Sequence, residues 1–105
     1  MNFGLRQRDF DNILKAIKHF PEIKTAIIYG SRAKDSYKKG SDVDLSIKGK
    51  DITSETVTRL SWQLNEEYPL PYFFDVNHYE QIENEDLTEH IDRVGKIIYK
   101  NDAVE

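Results

Sequence analysis

The fold is decided by the stretch from Tyr29 to Leu45, which reads YGSRAKDSYKKGSDVDL. It begins where the apolar run Thr25 to Tyr29 ends at a glycine, and it closes on two aspartates one residue apart. Apolar, partly β-branched residues before Gly30 predict a short buried strand that stops at a turn. After the loop, polar and apolar residues alternate from Asp42 to Lys48, which predicts a second strand with one buried and one polar face.

The rest of the chain supplies helices and further strands around this pair. Apolar residues at helical spacing predict helices over residues 6–19 and 54–67, and Asn84 is the predicted cap of a third helix that ends at Val94. Further strands are predicted at 72–76 and 96–99. The order α-β-β-α-β-α-β predicts one α/β (α+β) domain over residues 1–105, with a small mixed β-sheet of about four strands and helices packed on it.

Composition narrows the classes of function. Of the 105 residues, 38% are hydrophobic and 32% charged, which is typical of a folded domain and not of a disordered chain. The absence of cysteine excludes disulfides and thiolate metal sites, and the lack of a signal-peptide core or membrane-length apolar run favours a cytoplasmic protein. The net charge of −4 argues against duplex DNA binding, while basic residues clustered between Arg32 and Lys50 favour a small anionic ligand.

Two carboxylates lie close together on the second predicted strand. Asp42 and Asp44 occupy positions i and i+2, so their side chains point to one face, roughly 6–7 Å apart. Such like charges repel unless a cation lies between them, and oxygen ligands alone suit Mg²⁺ or Mn²⁺. Asp75, on the predicted strand 72–76, is the candidate for a third metal ligand, which indicates phosphoryl or nucleotidyl transfer.

The Gly30-Ser31 pair predicts a phosphate site beside these carboxylates. Because Gly30 has no Cβ, a ligand can approach the backbone closely. The Ser31 hydroxyl and the amides at the start of a following helix can bind phosphate oxygens. The basic side chains that follow can contact the remaining charge of a triphosphate, and Arg32 and Lys34 are the candidate nucleotide-binding residues among them.

Other interpretations of these motifs fit the spacing less well. A P-loop would need a second glycine at position 35, which is Asp35, and an EF-hand loop starting at Asp42 would need glycine at position 47, which is Ile47. The three histidines are scattered, which argues against a histidine metal site. The simplest alternative for the aspartates, a solvated face of a strand, leaves the preceding Gly30-Ser31 unexplained.

Together these residues resemble the signature of the DNA polymerase β-like nucleotidyltransferase superfamily, and the string from Gly30 to Leu45 is similar to that of the minimal nucleotidyltransferases of prokaryotes. The resemblance covers essentially the whole chain and implies that Gly30 and Ser31 hold the nucleotide phosphates. It also implies that Asp42 and Asp44 ligate both metals, while Asp75 completes one metal site and acts as general base. One departure is visible, because many members carry glycine at the position of Asp35.

The resemblance also implies a partner. Minimal nucleotidyltransferases are commonly paired with a small all-helical HEPN protein; in such toxin–antitoxin modules the HEPN ribonuclease is the toxin, and the nucleotidyltransferase neutralises it, in some cases by attaching AMP to a tyrosine. The expected function is therefore transfer of AMP from ATP to a hydroxyl acceptor, with Mg²⁺ or Mn²⁺ as cofactor, within a hetero-oligomer. A rival expectation is a nucleotide-binding module that neutralises its partner by complex formation. Transfer to a small molecule is disfavoured, because the second domain of antibiotic-modifying relatives is missing.

Overall fold

A computed structural model describes residues 3–38 and 40–101. Its helices and strands follow the predicted order α-β-β-α-β-α-β. They are α1 (Gln7–Lys18), β1 (Thr25–Tyr29), β2 (Val43–Lys48), α2 (Ser54–Trp62), β3 (Phe74–His78), α3 (Glu85–Val94) and β4 (Lys96–Lys100). A π-helical turn, Gln63–Glu67, continues α2, and a short 3₁₀ turn, Tyr79–Gln81, follows β3.

The strands form one mixed sheet in the order β3-β2-β1-β4. Strand β1 is antiparallel to both β2 and β4, whereas β2 and β3 are parallel and are connected through α2. In this register Tyr29 of β1 lies opposite Asp44 of β2, and Asp44 lies beside Asp75 of β3. The predicted fold class, a small mixed sheet with helices packed on it, is therefore confirmed.

The main core lies between one face of the sheet and the helices α1 and α2. The inward-facing residues of β2 are completely buried, as their alternation predicted: Val43, Leu45 and Ile47. On the opposite face, Ile91 of α3 packs on Ile27 and Tyr29 of β1. This second, smaller cluster covers the β1 part of that face, and the polar ends of β2 and β3 lie beside it.

The third strand lies two residues later than predicted, at Phe74–His78 instead of 72–76. Tyr72 is held by contacts outside the sheet, because its ring stacks on the Arg32 guanidinium and its hydroxyl donates to Asp9 at 3.1 Å. The second strand likewise begins one residue later than predicted, at Val43, whose N–H donates to the Phe73 carbonyl at 2.9 Å.

The helix predictions agree more closely with the structure. The Asn84 side chain caps α3 by accepting from the N–H groups of Asp86 and Leu87 at 2.9 and 3.3 Å, and α3 ends at Val94 as predicted. The predicted helix over 54–67 is helical throughout, but it changes from α to π type at Gln63. In the part of the chain that the structure describes, no helix is both long and apolar enough to cross a membrane.

Candidate active site

Two of the three predicted carboxylates, Asp44 and Asp75, lie on the sheet face opposite the main core. Asp44 and Asp75 are neighbours in the parallel pair of strands, so both side chains point to this face. Asp42 precedes the first residue of β2 and lies close enough to Asp44 for its charge to act on that carboxyl group. Asp44 and Asp75 are thus adjacent in the sheet and Asp42 lies near Asp44, and their joint role as a metal site stays a prediction.

The electrostatics of this cluster centre on Asp44, which is half-buried, whereas Asp42 and Asp75 are exposed. Burial, followed by the negative charges of Asp75 and Asp42, raises the pKa of Asp44 above its ordinary value. Within residues 3–38 and 40–101, none of the three carboxylates accepts a hydrogen bond or pairs with a basic side chain. The cluster therefore concentrates negative charge that a cation would stabilise.

The donor set fits an oxygen-seeking divalent cation. Carboxylate oxygens are the ligands that Mg²⁺ and Mn²⁺ prefer, and such an ion would neutralise the negative charge at Asp44. Among the described residues, no three His, Cys, Asp or Glu side chains already form a group that could hold a metal ion. Metal binding by Asp42, Asp44 and Asp75 therefore requires their side chains to turn toward one another, and it stays a prediction.

Gly30 ends β1 directly beside Asp44. Its φ of +74° lies in the left-handed region, where residues with a side chain are strained. A Cβ at this position would also collide with Oδ2 of Asp44. The positive φ therefore favours glycine here, and the lack of a side chain lets the Asp44 carboxylate lie against the backbone, where a Cβ would displace it.

The turn after Gly30 offers free backbone amides. Hydrogen bonds inside the turn are donated by the N–H groups of residues 34, 35 and 36, at 2.9–3.3 Å. The N–H groups of the preceding residues, Ser31 to Ala33, donate to no group in the described part of the chain. Consecutive free amides bind anions such as phosphate. These residues form turns, and the helix that the sequence allowed after Ser31 is not formed.

Sequence reasoning missed two polar residues beside the carboxylates, Tyr29 and Asn77. Asn77 Nδ2 donates to the Tyr29 hydroxyl at 2.7 Å. Burial, followed by the charges of Asp44 and Asp75, raises the pKa of Tyr29 to about 12, so the phenol stays protonated and can donate its own proton. The available signal was the period of two, which places Asn77 on the same face as Asp75.

The candidate basic residues occupy different environments. Arg32 is only 3% exposed, and its guanidinium donates to backbone carbonyls. Lys34 and Lys38 are exposed on the turn and the loop, and Lys39 lies outside the described residues. Lys34 is thus accessible to an anion at the turn, and the nucleotide-binding roles of both Arg32 and Lys34 stay predictions.

Comparison with protein families assigns residues 11–104 to the polymerase beta nucleotidyltransferases. The matched part includes β1, the Gly30-Ser31 turn that follows it, and the carboxylates of β2 and β3. The protein belongs to the polymerase beta nucleotidyltransferase family. No curated protein matches the chain.

Solved structures with the same fold include chains of toxin–antitoxin complexes. A chain of the MntA–HepT complex is 16% identical and has a TM-score of 0.69, over 91% of this chain and 74% of that chain. A chain of a toxin–antitoxin complex with AMP-PNP is 16% identical and has a TM-score of 0.71, over 93% of this chain and 76% of that chain. A chain of the complex of tri-AMPylated Shewanella oneidensis HEPN toxin with MNT antitoxin is 16% identical. Its TM-score is 0.69, over 92% of this chain and 74% of that chain.

Proposed function

We propose that the protein transfers AMP from ATP to a tyrosine hydroxyl of a HEPN-type helical toxin and thereby acts as its antitoxin. The observation that carries the proposal is the in-register pair Asp44 and Asp75, which lies beside Gly30 and the free amides of the following turn. Nucleotidyl transfer needs carboxylates for a divalent cation next to an anion-binding group, and this sheet face supplies both.

The triphosphate binds at the turn after β1. The Ser31 hydroxyl and the amides of residues 31–33 contact the β and γ phosphates, and the exposed Lys34 adds positive charge. Asp42, Asp44 and Asp75 hold Mg²⁺ or Mn²⁺, which when bound polarises the phosphate and neutralises charge that develops during transfer.

The acceptor approaches over β3. In an in-line displacement, the acceptor oxygen bonds to the α-phosphorus while the bond from that phosphorus to the pyrophosphate oxygen breaks on the opposite side. Because the leaving pyrophosphate lies at the β1 turn, the acceptor comes from the β3 edge of the sheet. There the exposed Asp75 accepts the hydroxyl proton, and Phe73, 60% exposed, offers an apolar surface to the acceptor segment.

The helical partner is proposed from the resemblance of the motif and from the fold. The structures with the same fold include toxin–antitoxin complexes, and in one of them a tri-AMPylated HEPN toxin is bound to an MNT antitoxin. A protein acceptor also agrees with the open position of Asp75, because an exposed carboxylate on an edge strand can be reached by a large substrate. We therefore expect a hetero-oligomer of this chain with its acceptor.

The test is transfer from α-labelled nucleotides in the presence of Mg²⁺ and a lysate of the source cells. Wild type is compared with Asp44→Asn and with Asp51→Asn, which makes the same chemical change at an exposed position beyond the opposite end of β2. We expect a labelled small helical protein with wild type and Asp51→Asn, and at least a hundredfold less label with Asp44→Asn.

Two outcomes would contradict the proposal. Full labelling by Asp44→Asn would remove this carboxylate from the mechanism. A stable complex with a helical protein, without label from any of the four nucleotides, would favour the rival expectation of neutralisation by binding alone.

A further inference from the structure

Arg32 follows the Gly30-Ser31 pair, yet its side chain is directed into the protein. Arg32 is 3% exposed, and its guanidinium donates to the Phe3 carbonyl through Nη1 at 2.8 Å. It also donates twice to the Ser41 carbonyl, through Nε at 3.2 Å and Nη2 at 2.8 Å. These hydrogen bonds occupy a donor on each of its three nitrogens, so little of the guanidinium is available to a ligand in solution.

Two aromatic rings flank the buried guanidinium. Its Cζ lies 5.1 Å from the ring centroid of Tyr37 and 5.0 Å from that of Tyr72. No carboxylate pairs with Arg32 in the described residues, so its charge is stabilised by carbonyl dipoles and aromatic faces. The Tyr72 ring is itself fixed, because its hydroxyl donates to the buried Asp9 at 3.1 Å.

These contacts join the three segments that carry the proposed site residues. Arg32 itself directly follows Ser31, in the turn proposed to bind phosphate. Ser41, whose carbonyl it binds, directly precedes Asp42, and Tyr72, which stacks on it, stands three residues before Asp75. One side chain therefore sets the distance between the phosphate turn, the first carboxylate and the beginning of β3.

We propose that Arg32 is a positioning residue that fixes the turn after β1 against Asp42 and β3, and that it is not a phosphate ligand. The inference rests on the proposed function for its catalytic consequence, but its contacts stand without it. A lysine at position 32 would keep the positive charge but lose the planar group that donates twice to one carbonyl.

The experiment compares Arg32→Lys with Lys34→Met, its exposed neighbour on the same turn. Arg32→Lys is expected to lower kcat about tenfold to a hundredfold, because small displacements of reacting groups are costly, and to leave KM for ATP within about twofold. It is also expected to weaken Mn²⁺ binding, measured by electron paramagnetic resonance without nucleotide. Lys34→Met is expected to raise KM for ATP and to leave Mn²⁺ binding unchanged.

Two substitutions of Tyr72 distinguish a positioning role of Arg32 from simple loss of folding. Tyr72→Leu removes one stacking ring and leaves Arg32 in place, whereas Tyr72→Phe keeps the ring and loses only the hydrogen bond to Asp9; we expect Tyr72→Leu to weaken Mn²⁺ binding more than Tyr72→Phe does. A raised KM for ATP with unchanged kcat and Mn²⁺ affinity in Arg32→Lys would overturn the inference and make Arg32 a phosphate ligand. Absence of transfer by wild type would instead count against the proposed function, since Mn²⁺ binding is measured separately.

Discussion

At the scale of single residues, the loop between β1 and β2 contains a left-handed position that is not glycine. Asp35 has φ of +63°, and it stands where many nucleotidyltransferases that resemble this chain carry glycine. Aspartate is among the few residues with a side chain that tolerate this region, because its short polar group can form local hydrogen bonds. Asp35 therefore adopts the left-handed backbone that glycine adopts readily, at a modest cost in conformational free energy.

The first prediction is that Asp35→Gly increases the stability of the protein. Glycine relieves the strain of the left-handed backbone, so the free energy of unfolding should rise by up to about 1 kcal/mol, measured by urea denaturation. Asp35→Ala should lower it by about the same amount. Lys34→Gly is the control, since residue 34 has no positive φ and glycine there should be destabilising by about 0.5–1 kcal/mol. Equal effects of glycine at both positions would contradict the interpretation.

At the scale of elements, the position of β3 depends on the Asn65 side chain, which forms hydrogen bonds to the backbone of β3 as a neighbouring strand would. Asn65, in the π-helical turn after α2, donates to the Phe74 carbonyl at 3.0 Å and accepts from the Phe74 N–H at 2.8 Å. It thus satisfies both polar groups on the side of Phe74 that faces away from β2. The same contacts cover part of a sheet edge that would otherwise present unpaired backbone groups.

The second prediction is that Asn65→Ala destabilises the protein by about 1–3 kcal/mol, because the buried Phe74 would lose both backbone partners. Transfer activity should also fall, since Asp75 directly follows Phe74. The matched control is Ser61→Ala, which removes only the 3.3 Å contact between Asn65 Nδ2 and the Ser61 hydroxyl. Urea denaturation and the transfer assay measure both effects; similar stability of the two variants would show that the Phe74 contacts contribute little.

These contacts also explain how far the sequence could predict the structure. Strand β1 and the cap of α3 were predictable because each follows from residues adjacent in sequence: the apolar run Thr25–Tyr29 and the side chain of Asn84. The start of β3 was not, since it depends on Asn65 and on Tyr72 being held by Arg32. The interior position of Arg32 had no local signal either, because in sequence it is one of several basic residues in a polar loop.

At the scale of the whole molecule, the two faces of the sheet carry opposite chemistry. One face is a continuous apolar core against α1 and α2, while the other carries an apolar cluster over β1 and three carboxylates at the ends of β2 and β3. Because burial and its neighbours raise the pKa of Asp44, ionisation of this group opposes folding when no cation is bound.

The third prediction concerns pH and follows from that shift. The folded protein binds the Asp44 proton more tightly than the unfolded chain, so wild-type stability falls as pH rises from the ordinary value of 3.8 through the raised pKa, and stays lowered above it. Without metal at neutral pH, Asp44→Asn should therefore raise Tm by a few degrees.

The difference between wild type and variant should disappear below the ordinary pKa of aspartate, where both side chains are neutral. Adding Mg²⁺ should raise the Tm of wild type more than that of the variant. Calorimetric scans from acid to neutral pH, with and without Mg²⁺, measure both effects. A variant that is less stable than wild type at neutral pH without metal would contradict this account.

The parallel pairing of β2 and β3 has a consequence for errors in folding. A slip of β3 by one residue would exchange the two faces of the strand. Phe74 would then leave the core, and Asp75 would enter it as a charge without a partner between apolar side chains, which is among the most costly changes a core can undergo. The carboxylate proposed to activate the acceptor therefore also penalises the misaligned sheet, and the register that keeps Phe74 in the core is the one that places Asp75 beside Asp44.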